Sequence, residues 1–515
     1  MCNRLYTCTC LCLHHRYKCS SSASISQAER DFFVIMCYIL IMEPKYETSN
    51  LMNLPKPELI TIILAQQKAI TRLEEHIRQL GEMIHKDSHN SHIPPSQSNL
   101  TLIKNLREKT GKNQGGQTGH PGKTLQMVNQ PNRIITHRVT SCERCGKDLS
   151  GIPVEGCERR QVFDIPAIVC EVTEYQAQKK RCSCGHLTTA LFPETVSAPV
   201  QYGINLQCLL TILSAYEYMS YDRISELMEQ LTGYRVNEST VCSFQDRLYE
   251  KLADFEEKSK LHLAQSEVIH NDETGIPVEG KQRWLHVSAN KELTHYAVDI
   301  KRGKEATDRI GILPRFHGTA VHDGWKAYFG YEQCQHGLCN AHHLRELTFF
   351  EEEEKAAWAP SLKDFLLSAK AQVAKAKNEG QDHLDFTSLQ SIESRYREIL
   401  EGAKSSLPPP LRTGKRGKLK KTKQQNFIER LFEHKGSVLA FVYDFRVPFD
   451  NNLAERDIRM MKLKNKVSGT FRSLHGAECF ARIRGYISTV RKNGRNVFEE
   501  IKNALYGQPF LLQKW

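Results

Sequence analysis

The stretch Val268-Ile269-His270-Asn271-Asp272-Glu273-Thr274-Gly275 is a β-branched run that feeds a carboxylate and then a Gly turn. That is how a strand presents an acid at its C-terminal end. Thr319-Ala320-Val321-His322-Asp323-Gly324-Trp325, 51 residues on, repeats the arrangement. A third acid lies in Asp450-Asn451-Asn452-Leu453-Ala454-Glu455-Arg456. There Asp or Asn caps a new helix and Glu455 falls in its first turn or two. Two strand-end aspartates and one helical glutamate suit two divalent ions, Mg²⁺ or Mn²⁺, which take a few carboxylate oxygens and otherwise water or phosphate. Two such ions roughly 4 Å apart can activate a nucleophile and stabilise the leaving oxygen of a phosphodiester. The residues leave alternatives open: Asp272 as a mere turn cap, Glu273 as the ligand, or Asp457 in place of Glu455. Asp457 is two positions along the helix, roughly 200° round it from Glu455, so both cannot face one metal.

A chain of 515 residues holds three or more domains, and 40% apolar content supports real cores rather than disorder. The net charge of +12 is concentrated. Gly402 to Lys423 carries eight Lys or Arg and no acid; Arg456 to Arg495 carries eleven against Asp457 and Glu478. Both segments flank the third acid, which points to a polyanion near Glu455, with a solvated basic surface as the bland alternative. Seventeen Cys form no disulfide framework: six fall in the first 37 residues, and the rest are scattered or in close pairs. Without a secretion signal this reads as a cytoplasmic chain with reduced thiols. The apolar run Asp31 to Met42 is about half the ~20 residues a membrane helix needs, so no membrane partner is expected.

Residues 1–41 read as a non-native or disordered leader, with Met42 or Met52 the true start. Residues 42–85 read as a coiled-coil helix. Ile63, Ile70, Ile77 and Ile84 recur every seven residues, with Leu59, Leu73 and Leu80 on the other seam position and Gln66 the polar exception; that pattern favours a parallel homodimer. Residues 86–125 are a Gly- and Lys-rich linker that cannot build a core. Residues 126–200 read as a small zinc-binding β domain. Cys142-x-x-Cys145-Gly146 is a zinc knuckle, and Cys182-x-Cys184-Gly185-His186 is a shorter partner in which His186 is a substitute ligand. Val162 to Pro166 and Ile168 to Tyr175 read as strands between them. Two unrelated reduced Cys pairs are the alternative. Residues 201–262 read as helical: Asp222 to Met228, a turn at Gly233 and a second helix capped near Asn237 or Ser239 resemble a helix-turn-helix, a form many α-hairpins share. A catalytic core follows in 263–345, with strands over 284–289 and 294–300 joined by Asn290-Lys291. A helical insertion with a basic loop (Lys415, Arg416, Lys418) occupies 346–430, and the rest of the core with closing helices at 477–490 and 496–506 occupies 431–515.

These motifs together resemble the insertion-sequence-66 family of transposases, from about Leu54 to the end. The residues that carry the resemblance are the coiled-coil start, Pro94-Pro95-Ser96, the Gly-Gly-Gln-x-Gly-His tract, the Cys pairs around Val-Phe-Asp-Ile-Pro, Ala198-Pro199-Val200-Gln201-Tyr202-Gly203, Asp-Glu-Thr, His-Asp-Gly-Trp and Asn-Asn-x-Ala-Glu-Arg. The resemblance implies a ribonuclease H-like fold with an Asp-Asp-Glu metal triad acting on the ends of a mobile element. By matching motif, Asp272, Asp323 and Glu455 take the three positions. Cys339 and His342 resemble the Cys-x-x-His that follows the second acid in such transposases, a supporting element. Small accessory proteins from the same element are implied as partners.

The expected fold is therefore multidomain α+β, and the expected activity is DNA cleavage and strand transfer. Asn451 and Asn452 orient the start of the third-acid helix, and Arg456, Arg459 and Lys462 hold phosphates along it. The rivals are a non-catalytic zinc and helix-turn-helix regulator, and a nuclease of the same fold that cuts without joining.

Overall fold

The computed structural model describes residues 54–85, 125–409 and 421–512. The expected leader, most of the linker, and the loop with Lys415, Arg416 and Lys418 lie outside the described residues. Residues 1–85 and 86–515 form separate units. Among the described residues of the first, one helix, α1 (Lys56–His85), spans the heptad segment. Its Ile63, Ile70, Leu73 and Ile77 are exposed.

In the second unit, residues 125–178 contain no strand, only an isolated bridge between Ser141 and Asp148. A two-stranded hairpin follows, β1 (Lys179–Arg181) with β2 (Leu187–Thr189). The strands expected over 162–166 and 168–175 are absent. Alternation says which face of a strand would be buried, but a ladder also needs a partner backbone, and among the described residues none pairs with these. Val162, Ile165, Val169 and Val172 are all exposed.

Four helices come next: α2 (Ile204–Thr211, extended by a π turn over Ile212–Tyr216), α3 (Tyr221–Thr232), α4 (Glu238–Lys251) and α5 (Ala253–Ala264). Gly233 closes α3 in the left-handed region (φ 76°) and Asn237 precedes α4, as the residues suggest. Tyr221, Ile224, Met228, Val236, Val241 and Phe244 pack between the pair.

The chain then builds a five-stranded mixed sheet from β3 (Val268–Val278), β4 (Lys281–Ala289), β5 (Thr294–Asp299), β6 (Thr319–His322) and β7 (Gln335–Leu338). The order is β5-β4-β3-β6-β7. The first three strands are antiparallel neighbours; β6 and β7 join parallel to β3. Gly275 is not a turn, because β3 runs straight through it. The chain reverses at Glu279-Gly280, both at positive φ (53° and 68°), in the two-residue geometry that suits a twisted hairpin. Between β5 and β6 lies α6 (Lys304–Ile310).

After β7 the chain leaves the sheet in α7 (Asn340–Glu352), α8 (Trp358–Asn378), α9 (Phe386–Ser406) and α10 (Lys423–Glu433), then two short turns, α11 (Lys435–Val438) and α12 (Ala440–Tyr443). These helices share their own core around Leu366, Tyr396, Phe427 and Leu431, which reaches the sheet at Leu338 and takes in Phe449 from the loop ahead of the returning chain. The chain returns as α13 (Asn452–Ser468), α14 (Leu474–Lys492) and α15 (Val497–Leu505). From Ala477 to Val490 α14 is buried on nearly every side, as expected of a helix covered on both flanks. It lies against β5, and with Leu285, Val287, Tyr296, Leu248 and Ile501 it forms the main core. The opposite face of the sheet is covered by Leu263, Leu313, Phe316 and Tyr328. The architecture is mixed α+β and is compatible with a ribonuclease H-like core. Among the described residues no helix is long and apolar enough to cross a membrane.

Candidate active site

Parallel pairing of β3 with β6 covers only Val268–His270 against Thr319–Val321. Asp272 and Asp323 both lie just past the end of that short ladder, one on each strand. The two carboxylates thus meet where parallel strands part, the usual place for a site in a sheet with parallel strands. Gly324, at φ +92°, lets the chain turn away directly after Asp323, whose Oδ1 accepts the Trp325 N–H at 2.9 Å. Asp272 accepts the Glu273 N–H at 2.9 Å.

Burial pushes the Asp272 carboxyl well above the usual carboxylate range; the charges of Glu273, Asp323 and Glu455 push it further, against the pull of the Glu273 N–H. Asp272 therefore feels both Asp323, directly after β6, and Glu455, from α13. Glu455 is only 11% exposed. Its Oε1 lies 3.7 Å from Cys339 Sγ and 3.9 Å from His342 Nδ1; its Oε2 lies 3.8 Å from Arg345 and 3.3 Å from Arg459. Burial and the Glu455 charge push the Cys339 thiol up to about 12, so it stays protonated and donates to Glu455. Cys339, His342 and Glu455 bring their ligand atoms within 4.8 Å of one another.

Asn451 joins this helix to the sheet. It is buried, donates Nδ2 to the Asn271 carbonyl at 2.8 Å, meets His270 Nδ1 with Oδ1 at 2.8 Å, and gives its N–H to Cys339 Sγ at 3.1 Å. Its side chain does not cap α13; the start of the helix is tied to β3 instead. Asn452 is exposed, with its N–H on Asp450 Oδ1 at 3.1 Å.

The two alternatives for the ligand positions are otherwise engaged. Glu273, with a side chain 1% exposed, receives Arg302 Nε and a terminal guanidinium nitrogen on Oε1 (2.9 and 2.7 Å) and the Tyr328 hydroxyl on Oε2 at 2.5 Å. Arg302 in turn lies over Trp284 and Trp325. Asp457 faces away, accepting from Thr294, Ser488 and Lys492 at 3.0, 3.3 and 3.2 Å.

Of the basic residues on α13, Arg456 and Arg459 are exposed. Lys462 is half-buried two turns after Glu455, on the same face. Burial pushes its ammonium below the usual lysine range while the Asp272 charge pulls it back. Lys462 thus borders the acids themselves. Arg302, Tyr328 and Arg345 belong to the site without being marked in the sequence. Arg345 is within sight, three residues after His342 on the same helix, but nothing in spacing ties Arg302 or Tyr328 to Glu273.

The cysteine pairs form two similar turns. Gly146 N–H returns to the Cys142 carbonyl at 2.8 Å, and Gly185 N–H to the Cys182 carbonyl at 2.9 Å. The backbone N–H groups of Cys145 and Arg144 hold the Cys142 thiol below its ordinary range, and that of Cys184 does so for Cys182. The pairs are not gathered into one ligand group: among the described residues only Cys339–His342–Glu455 and Asp246–His475–Cys479 bring three metal-ligating atoms within 4.8 Å.

Residues 200–479 match the family model described as "Transposase IS66 family". The chain belongs to the IS66 transposase family. The match runs from α2 to the first turns of α14 and contains all three acids, whereas α1 and the cysteine pairs lie outside it. No curated protein matches this transposase in sequence. Membership makes it a DNA-processing protein of a mobile element, and leaves the chemistry to be argued from the site.

Proposed function

We propose that this IS66 transposase cuts the ends of its element and joins them to target DNA through Asp272, Asp323 and Glu455, with two Mg²⁺ or Mn²⁺ ions. The observation that supports this most is the placing of Asp272 and Asp323 just past the end of the β3–β6 ladder, where Asp272 is largely buried and, beyond the charge of Glu273, also carries the like charges of Asp323 and Glu455. Carboxylates held together away from water without compensation are costly, and divalent cations are the partners that offset them. An all-oxygen donor set fits Mg²⁺ or Mn²⁺. The sheet order, with antiparallel β3–β5 and parallel β6 and β7, supports a ribonuclease H-like core.

Asp272 and Asp323 would hold both ions and Glu455 one of them. When bound, the ions supply Lewis-acid polarisation of the phosphate oxygens. The chain's own groups do the positioning: Cys339, His342 and Arg345 hold Glu455 toward the aspartates, Asn451 fixes its helix to β3, and Lys462 neutralises charge beside Asp272. Arg456 and Arg459 lie open to phosphates. In the first step water attacks the phosphodiester and a 3′-OH leaves; in the second that hydroxyl attacks a phosphodiester of target DNA, its new P–O bond replacing the bond to the target strand's own 3′-oxygen, which leaves as a 3′-OH. No protein nucleophile is required.

Two further assignments complete the reading: a structural Zn²⁺ that would draw the separate pairs Cys142–Cys145 and Cys182–Cys184 together, each pair's turn already favouring thiolate, and self-association through the exposed Ile and Leu seam of α1. Accessory proteins of the element remain expected partners.

The test is cleavage and strand transfer on DNA carrying the element's own ends, comparing the chain with Asp323→Asn in Mg²⁺ or Mn²⁺. Products that disappear in the variant while end-binding persists support the triad. Products that survive the substitution overturn it.

A further inference from the structure

A second group of metal-ligating side chains lies outside the acid site and shares no residue with it. On α14, His475 and Cys479 are one turn apart. On α4, which packs against α14, Asp246 faces them, with Cys242 one turn before it. The three atoms form a triangle: Cys479 Sγ to His475 Nε2 3.3 Å, Cys479 Sγ to Asp246 Oδ1 3.5 Å, and His475 Nε2 to Asp246 Oδ1 3.1 Å. A tetrahedral zinc with bonds of about 2.0–2.3 Å holds neighbouring ligand atoms roughly 3.3–3.6 Å apart. The observed edges fall close to that, before any ion draws them in.

A catalytic relay and a simple ion pair both fit this triangle less well. A nucleophilic Cys-His-Asp relay needs a linear chain with the imidazole between the other two and an accessible sulfur. Here the sulfur touches the carboxylate directly, and Cys479 is 1% exposed. An ion pair accounts for His475 with Asp246 but not for a buried thiol aimed at both.

We propose that Asp246, His475 and Cys479 form a zinc site that clasps α4 to α14, with Cys242 or water in the fourth position. The chemistry selects a borderline-soft divalent ion over Mg²⁺, because one donor is sulfur and one is imidazole nitrogen. Burial and the Asp246 charge hold the Cys479 thiol above its ordinary range in the absence of metal, so uptake releases a proton. The consequence is mechanical. Helix α4 belongs to the helical hairpin ahead of the sheet, and α14 is the helix that covers β5. A metal across them fixes the hairpin on the catalytic core.

The experiment uses the full chain with Cys142, Cys145, Cys182 and Cys184 all changed to Ser, so that the other thiol pairs cannot contribute. Metal-free protein is titrated with Co²⁺, followed by thiolate-to-cobalt absorption in the near ultraviolet, and then with competing Zn²⁺. One equivalent of Co²⁺ that carries a thiolate band is expected, beyond any Co²⁺ the all-oxygen acid site takes up without one, and Zn²⁺ should displace it. The band should vanish in Cys479→Ala, and one equivalent of metal should be lost in His475→Gln. His475 is 55% exposed, so the latter variant keeps its fold, checked by circular dichroism, and remains informative if Cys479→Ala does not. Zn²⁺ should also raise the melting temperature of the parent chain and not of His475→Gln. Absence of the band in the parent chain, or equal metal uptake by parent and His475→Gln, would overturn the proposal. DNA cleavage is not read, so the outcome is independent of the triad.

Discussion

Asp272 on β3 and Asp323, directly after β6, lie two positions beyond the end of the same parallel ladder. The parallel ladder pairs Val268 with Thr319, Ile269 with Ala320 and His270 with Val321, and the same offset carried past its end sets Asp272 beside Asp323. Their charges oppose each other, and burial makes the opposition worse for Asp272. Asp272→Asn should therefore stabilise the metal-free protein by about 1 kcal/mol, the scale on which removing an active-site conflict commonly acts. The same variant should lose DNA cleavage by about 10³-fold or more. Thermal unfolding in chelator, with and without Mg²⁺, checks the first part. A variant less stable than the parent in chelator would mean that Asp272 is held by a partner other than a cation.

Asn451→Ala removes two side-chain hydrogen bonds and leaves the Asn271 carbonyl and His270 Nδ1 buried without them. An orphaned buried polar group costs about 1–3 kcal/mol. A loss of about 2–4 kcal/mol in urea unfolding is expected from two such groups. Cleavage should fall further than DNA binding, because Glu455 sits in the first turn of the helix that Asn451 anchors. Equal losses of binding and cleavage would place Asn451 in general stability alone.

How far the sequence leads depends on how local each signal is. The strand carrying Asp272, the strands β4 and β5, and the helix carrying Glu455 are legible, because alternation and capping residues lie within a few positions of one another. The extent of β3 is not: Gly275 looks like a turn, and only the pairing with Trp284 shows it to be mid-strand. Strand β7 is hidden, since Gln335-His336-Gly337-Leu338 is four residues with a glycine inside, held by β6 and by Val447 rather than by its own propensity. The position of Asn451 suggests a helix-start residue, whereas its side-chain partners are about 180 residues away. The same is true of Arg302 with Glu273. Side chains that reach across the fold carry no sequence spacing to find them by.

Gly318 leads into β6 and so helps to set the position of Asp323. A Cβ there would lie 2.3 Å from the Glu267 carbonyl oxygen and 2.7 Å from that of Ser266, both backbone atoms that cannot swing aside. Gly318→Ala should cost about 3 kcal/mol or more, the upper range for forced overpacking. Gly402, in α9, has nothing within 4 Å of an added Cβ. Gly402→Ala should instead stabilise by roughly 0.5–1 kcal/mol through helix propensity. Chemical denaturation of the two variants side by side checks the contrast. A tolerated Gly318→Ala would mean that the approach of β6 to the end of α5 is looser than the distances imply.

Glu256 on α5 is the largely enclosed anion that ties the helical segment to α14 and the sheet. Burial alone would raise its carboxyl, but His295, at 3.4 Å, and Arg482, at 2.8 Å, outweigh burial and draw it down to about 2 from an ordinary 4.5. A folded value below the unfolded one means that protonation favours unfolding. The contribution is complete above pH 4.5 and drains away as pH falls toward 2; the distance between those two values makes it on the order of 3 kcal/mol. Glu256→Gln leaves Arg482 and His295 without their anion and should cost about 3–5 kcal/mol at pH 7. Urea unfolding between pH 7 and pH 3 should show the parent losing stability faster than the variant below about pH 4.5, so that the gap between them narrows. A gap that stays constant across that range would show that the loss in Glu256→Gln comes from packing and not from the carboxylate charge.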